Sequence, residues 1–193
     1  MKHTTYISGT EKHNGFFLLY LVEIVGIIIG SFLAVSSDNE FLRQNFCPAL
    51  HSATLLEIFR NTLVSSLIFI IMAFFSGLSA IGQPVGIALI IAKGAEIGLS
   101  AGFMYAQKGL SAFPAVMVLN IPKALAFSAV AVLAVREVWR SSSSLLRFLV
   151  SGEHSTEQNS LRLYCLKYLV LIIIIFIISI ADVLMNYIFA GLL

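Results

Sequence analysis

Charge is scarce in this chain. Only 11% of its 193 residues are charged and 59% are hydrophobic, whereas about a quarter of a soluble domain is charged. That shortage excludes an ordinary water-soluble domain. A net charge of +2, dispersed along the chain, gives no basic face for a nucleic acid, so no nucleic-acid partner is expected. Two cysteines, Cys47 and Cys165, supply no disulfide framework. The longest polar stretch, 136–167, mostly lacks core-forming spacing, which leaves no separate soluble domain.

Catalytic signatures are missing as well. There is no His-Glu-x-x-His, no Gly-x-Ser-x-Gly and no phosphate-cradling glycine loop ending in Lys-Ser or Lys-Thr. The four histidines, His3, His13, His51 and His154, fall in polar segments at unrelated positions. They offer no metal-ligand spacing. No enzyme activity, cofactor or metal is expected of this chain.

What the chain has is long apolar runs. Five runs approach or exceed the roughly 20 residues that cross a bilayer: 16–35, 61–81, 84–106, 111–135 and 168–190. The expected fold is therefore all-α, one polytopic helix bundle over 1–193 with an outer loop at 36–60 and an inner loop at 136–167. The first run is too long for a usual signal-peptide core and is interrupted by Glu23, so it reads as a retained anchor. The second and third runs are separated only by Gly82 and Gln83, which makes them antiparallel neighbours. Pro84 suits the first turn of the following helix. Asn120-Ile121-Pro122-Lys123 breaks the fourth run and predicts a kink. The segment from Arg136 mixes apolar residues with arginines, as a helix lying on the membrane surface would. Its serine run, 141–144, reads as a flexible break.

Basic residues set the orientation. Lys2, Lys12, Arg136, Arg140, Arg147, Arg162 and Lys167 share one side of a five-span chain, against Arg43, Arg60 and Lys108 on the other. The positive-inside rule places the N-terminus in the cytoplasm and the C-terminus outside. Cys47 and Cys165 then lie on opposite sides and cannot pair with each other.

Two patterns single out the third run. Gly94, Gly98 and Gly102 recur every fourth residue, and Gly26 and Gly30 repeat the step in the first run. Such stripes let helix backbones approach closely, within one chain or across a homo-oligomer interface. Lys93 and Glu96 stand well round the helix from that stripe. With Glu23, Lys123 and Asp182 they make five ionisable side chains inside spans. Such groups either mark an ion path or pair between helices. Candidate pairs are Lys93 with Glu23 or Asp182, Lys123 with Glu96, and Lys93 with Glu96 three residues along the same helix.

The 75–105 hairpin and the Asn120-Ile121-Pro122 kink resemble the stage II sporulation protein M family. The matching elements are Gly77, Gly82, Pro84, Lys93, Gly94, Gly98, Gly102 and Pro122, over roughly 59–135. The resemblance implies five spans in the membrane of the engulfing mother cell, during endospore formation. It further implies a non-catalytic anchor for two peptidoglycan-degrading partners, which remodel the septal wall. The outer segment 36–60 and the short external turns would be the contact points. A second expectation, from the intramembrane charges and the Pro122 break, is a small transporter or channel component. Against it, the halves show no inverted repeat, and five spans do not divide evenly.

Overall fold

The computed structural model describes residues 7–36, 54–151 and 157–189, and the side chains of 17–36, 54–146 and 162–189. Cys47, His3, His51, His154 and most of the outer loop lie outside the described residues, as does the side chain of His13. Among the described residues the fold is all-helical, with no strand.

Helix α1 spans Ile7–Ser36, α2 Leu55–Gly77 and α3 Gly82–Lys108. A 3-10 turn at Gly109–Ala112, a short α4 at Phe113–Ala115 and a π turn at Val116–Asn120 lead into α5, Ile121–Ser151. Helix α6 covers Glu157–Ile188. Four helical stretches are long and apolar enough to cross a membrane: Phe17–Ser36, Leu55–Gly77, Gly82–Leu146 and Arg162–Ile188. The third is 65 residues long, roughly three times what one crossing needs. It folds back at Gly109, whose φ of 57° suits glycine alone among common residues. Beyond that turn α5 returns along α3, so that Gly86 meets Val135 and Trp139 while Ser100 bonds Asn120.

Several helix ends differ from the hydropathy reading, each for a local reason. Helix α2 begins at Leu55 and not at 61, because Thr54 and Glu57 form a capping box. The Thr54 hydroxyl accepts from the Glu57 amide and the Glu57 carboxylate accepts from the Thr54 amide. The turn into α3 is made by 78–81, and Gly82 is the first residue of the helix, not part of the gap. The Gly82 amide donates to the Ser79 carbonyl, and its own carbonyl accepts from the buried Ser76 hydroxyl. Pro84 sits in the first turn of α3 as expected.

The break in the fourth run takes the form of a π turn just before Pro122. Proline removes one backbone donor, and the wider π ring accommodates the displaced carbonyls. The described residues of the 136–167 segment are helical and not a loop. They are mostly the extension of α5 to Ser151 and the early start of α6 at Glu157. The serines do not break the helix, because neighbours satisfy them. Ser142 is fully buried and donates to the Ala80 carbonyl, and Ser143 donates to Trp139 one turn back. Serine bonding within its own helix is compatible with an unbroken axis.

Near the 78–81 turn the bundle is apolar and closed. Ile70, Ala73, Ile90, Val132, Val135, Val138 and Ile175 are buried in one cluster that extends to Tyr164 and Tyr168. The Tyr164 hydroxyl donates to the Phe74 carbonyl and Tyr168 donates to Ala134, tying α6 to α2 and α5. Phe74 stacks on Tyr164 with ring centroids 5.3 Å apart. Trp139 donates its indole N–H to the Gln83 carbonyl, which closes the turn over α5.

Candidate functional site

Helix α3 is packed on two sides of different chemistry. Its glycine stripe lies against α1 with the two helices parallel. Gly26 faces Ile91, Gly30 faces Ala95, Gly94 faces Glu23 and Gly98 faces Ile27. At each of these glycines an added Cβ would land inside the van der Waals shell of the opposing backbone carbonyl. Gly102 carries the contact to Ser31 and Ala34. Ser31 donates across the seam to the Gly98 carbonyl at 3.3 Å. Both stripes expected from sequence therefore meet each other within one chain, as small-residue helix packing requires.

Nearly opposite the stripe, about 170° round α3 at the helical pitch, the side chains turn polar. Lys93 is 4% exposed. Its ammonium donates to the Glu96 carboxylate at 2.8 Å and to the Ser66 hydroxyl at 3.4 Å, and lies 5.0 Å from the centre of the Phe127 ring. The second Glu96 oxygen accepts from Ser65 at 2.9 Å. Of the pairings open to Lys93, the structure takes the one along its own helix.

A second charge pair joins α5 and α6. Lys123 donates to Asp182 at 2.8 Å and to Thr62 at 3.2 Å, and Thr62 also donates to Asp182 at 2.9 Å. Asn186 adds its amide to the Asp182 carboxylate one turn away. Lys123 does not meet Glu96, the partner that sequence suggested, because α6 brings Asp182 to it first. Glu23 forms no ion pair with a lysine among the described residues. One of its oxygens accepts from Ser128 at 2.6 Å, and the other is buried with no partner among the described residues.

The α2 hydroxyls are the functional-looking residues that the sequence reading passed over. Thr62, Ser65 and Ser66 touch both charge pairs. Their sequence signal was spacing, since 62 and 66 stand one helical turn apart in an otherwise apolar run. Hydroxyls surrounded by hydrocarbon seek partners on adjacent helices, and here they find charged ones.

Between α2, α3 and α5 these groups line a cavity of about 350 Å³. Lys93, Glu96, Ser100, Asn120, Lys123, Asn61, Thr62 and Ser65 contribute its polar wall, with Phe127, Ile97, Val64 and Ile68 completing it. It belongs to the half of the bundle where α2 begins and α3 ends. Towards the 78–81 turn the apolar cluster stands in its place. Gly77, Gly82 and Pro84 lie at that closed end and Pro122 lies beside the cavity, after the π turn. The polar wall can bond and orient a polar guest. Among the described residues no group of three His, Cys, Asp or Glu side chains is placed to hold a metal.

No protein-family model, curated protein or solved structure matches this chain.

Proposed function

We propose that the chain is a non-catalytic membrane anchor that holds wall-degrading partners, as its resemblance to the stage II sporulation protein M family implies. The observation that carries this reading is how the intramembrane charges are used. Lys93 and Lys123 are each bonded to a carboxylate and an α2 hydroxyl, so they lock helices together. The apolar, tyrosine-tied end of the bundle interrupts any polar track. Such a bundle is a rigid platform in the cytoplasmic membrane, on this reading the engulfing mother-cell membrane, and its outer segment 36–60 is the contact point.

Five crossings with the N-terminus inside go with this proposal. Two features support them: α1 runs parallel to α3, and α5 returns antiparallel after Gly109. The seven-to-three split of basic residues supports the orientation. The test is co-purification from sporulating cells. A tagged chain is expected to bring down a peptidoglycan hydrolase, and a deletion strain is expected to stall in engulfment. Normal engulfment without the chain would refute the role.

The polar cavity beside a π turn favours a second reading, membrane transport, since transporter sites sit at broken helices near mid-membrane. Solute flux through vesicles containing the purified chain, abolished by Lys123→Met, would replace the anchor reading with this one.

A further inference from the structure

The cavity between α2, α3 and α5 holds hydrogen-bond donors that the protein leaves unused. Asn120 is 7% exposed and its amide oxygen accepts from Ser100. That bond fixes the orientation of the amide, and its NH₂ group faces the cavity with no partner among the described residues. Asn61, on the opposite wall, makes no hydrogen bond among the described residues. Lys123 spends two of its three N–H groups on Asp182 and Thr62, which leaves one. Three spare donors, one of them on the nine-tenths-buried Asn120, converge here from α2 and the start of α5, and each forgoes a hydrogen bond until an acceptor arrives.

The carboxylates nearby each already hold a lysine. Glu96 takes Lys93 on one oxygen and Ser65 on the other. Asp182 is 2% exposed behind Lys123, so the lysine, not the aspartate, faces the cavity. What the site lacks is an acceptor with several oxygens. We infer that the cavity binds a phosphate group, either the phosphodiester of an anionic lipid or a free phosphate ion.

Size and surroundings agree with this class of guest. About 350 Å³ is at the small end of the roughly 300–1,000 Å³ that small-molecule sites occupy. The rim on α2 is apolar, with Val64 46% and Ile68 53% exposed, so a lipid tail can lie along it while the headgroup reaches the donors. A bound phosphate would bridge Asn61 on α2 to Asn120 and Lys123 at the start of α5, fastening the wall next to the π turn. This goes beyond the anchor role and does not depend on it.

The experiment is thermal unfolding of the purified full-length chain in neutral detergent, titrated separately with phosphatidylglycerol and with inorganic phosphate. The midpoint is expected to rise by about 5 °C at saturation. A rise with the lipid alone assigns the lipid phosphodiester, and a rise with phosphate as well assigns the free ion. Asn61→Leu and Asn120→Leu remove the spare amide donors at similar side-chain volume, and the unliganded midpoint of each variant is its own reference. They should lose at least half of the ligand-induced rise. General salting-out by phosphate would persist in both variants. No rise with either probe, or an equal rise in both variants, overturns the inference.

Discussion

Helix α3 meets α1 on one face and the polar wall on another, and the two contacts are built by opposite means. Against α1, Gly94, Gly98 and Gly102 bring backbone to backbone, with Ser31 donating across the seam. Against α2 and α5, Lys93 and Glu96 reach outward, and hydroxyls and a neighbouring aromatic ring receive them. The glycine face has no slack, since added atoms would overlap main chain that cannot move aside. The polar face has slack, in the form of a cavity of about 350 Å³. Tolerance to substitution should therefore differ sharply between residues only a few positions apart.

Gly98→Leu is the sharpest test of that difference. Its side chain would have to enter the Ile27 backbone, so α1 and α3 must part. Overpacking costs typically about 1–3 kcal/mol and more where backbone must shift; we expect about 3 kcal/mol or more, seen as loss of the folded, monodisperse chain in detergent. Retention of native thermal stability would mean that the stripe is not a packing face.

Asp182→Ala comes next. It strands the ammonium of Lys123 next to Thr62, while Asn186 loses only its bond to the carboxylate and keeps the one to the main-chain carbonyl at 182. Breaking a buried pair costs about 3–5 kcal/mol, but Lys123 is 31% exposed and can turn to the cavity, so about 2 kcal/mol is expected. Thermal or denaturant unfolding in detergent would measure it.

The smallest effect is the most discriminating. Lys93→Met alone leaves Glu96 with only Ser65 and should cost about 1–2 kcal/mol. Lys93→Met with Glu96→Leu should fall within about 1 kcal/mol of the native chain, because apolar replacement of a whole pair is often neutral or stabilising. If the double variant is well folded yet loses its biological role, the pair is functional. If the role survives, the pair is structural.

The contrast also explains what the sequence could disclose. The glycine stripe was readable because its four-residue period is a property of one helix. The same holds for Lys93 with Glu96, three residues apart on α3. The partners of Lys123 and Glu23 were not readable, since they depend on which helices become neighbours. Asp182 and Ser128 lie 59 and 105 positions away along the chain. Hydropathy located the long apolar helical stretches but not the helix ends. Helices α5 and α6 continue as polar helix beyond the apolar runs, held there by bonds such as Ser142 to Ala80 and Lys167 to Glu137. The α2 start was legible in principle, as Thr54 and Glu57 spell a capping box three residues apart. The cavity had no linear signature, because its wall draws on three helices.

The seam between α1 and α3 can be probed by cross-linking. With Cys47 and Cys165 replaced by serine, Ala34→Cys and Gly102→Cys place two thiols across that seam, where a Cβ on Gly102 would lie 2.6 Å from the Ala34 Cβ, so that a small parting of the helices reaches the roughly 3.5–4.5 Å of a disulfide. Mild oxidation in native membranes should yield a disulfide within single chains, visible as a faster-migrating monomer that reduction reverses. A chain that stays uncrosslinked, or one that links only to a second copy, would contradict the packing of α3 described here.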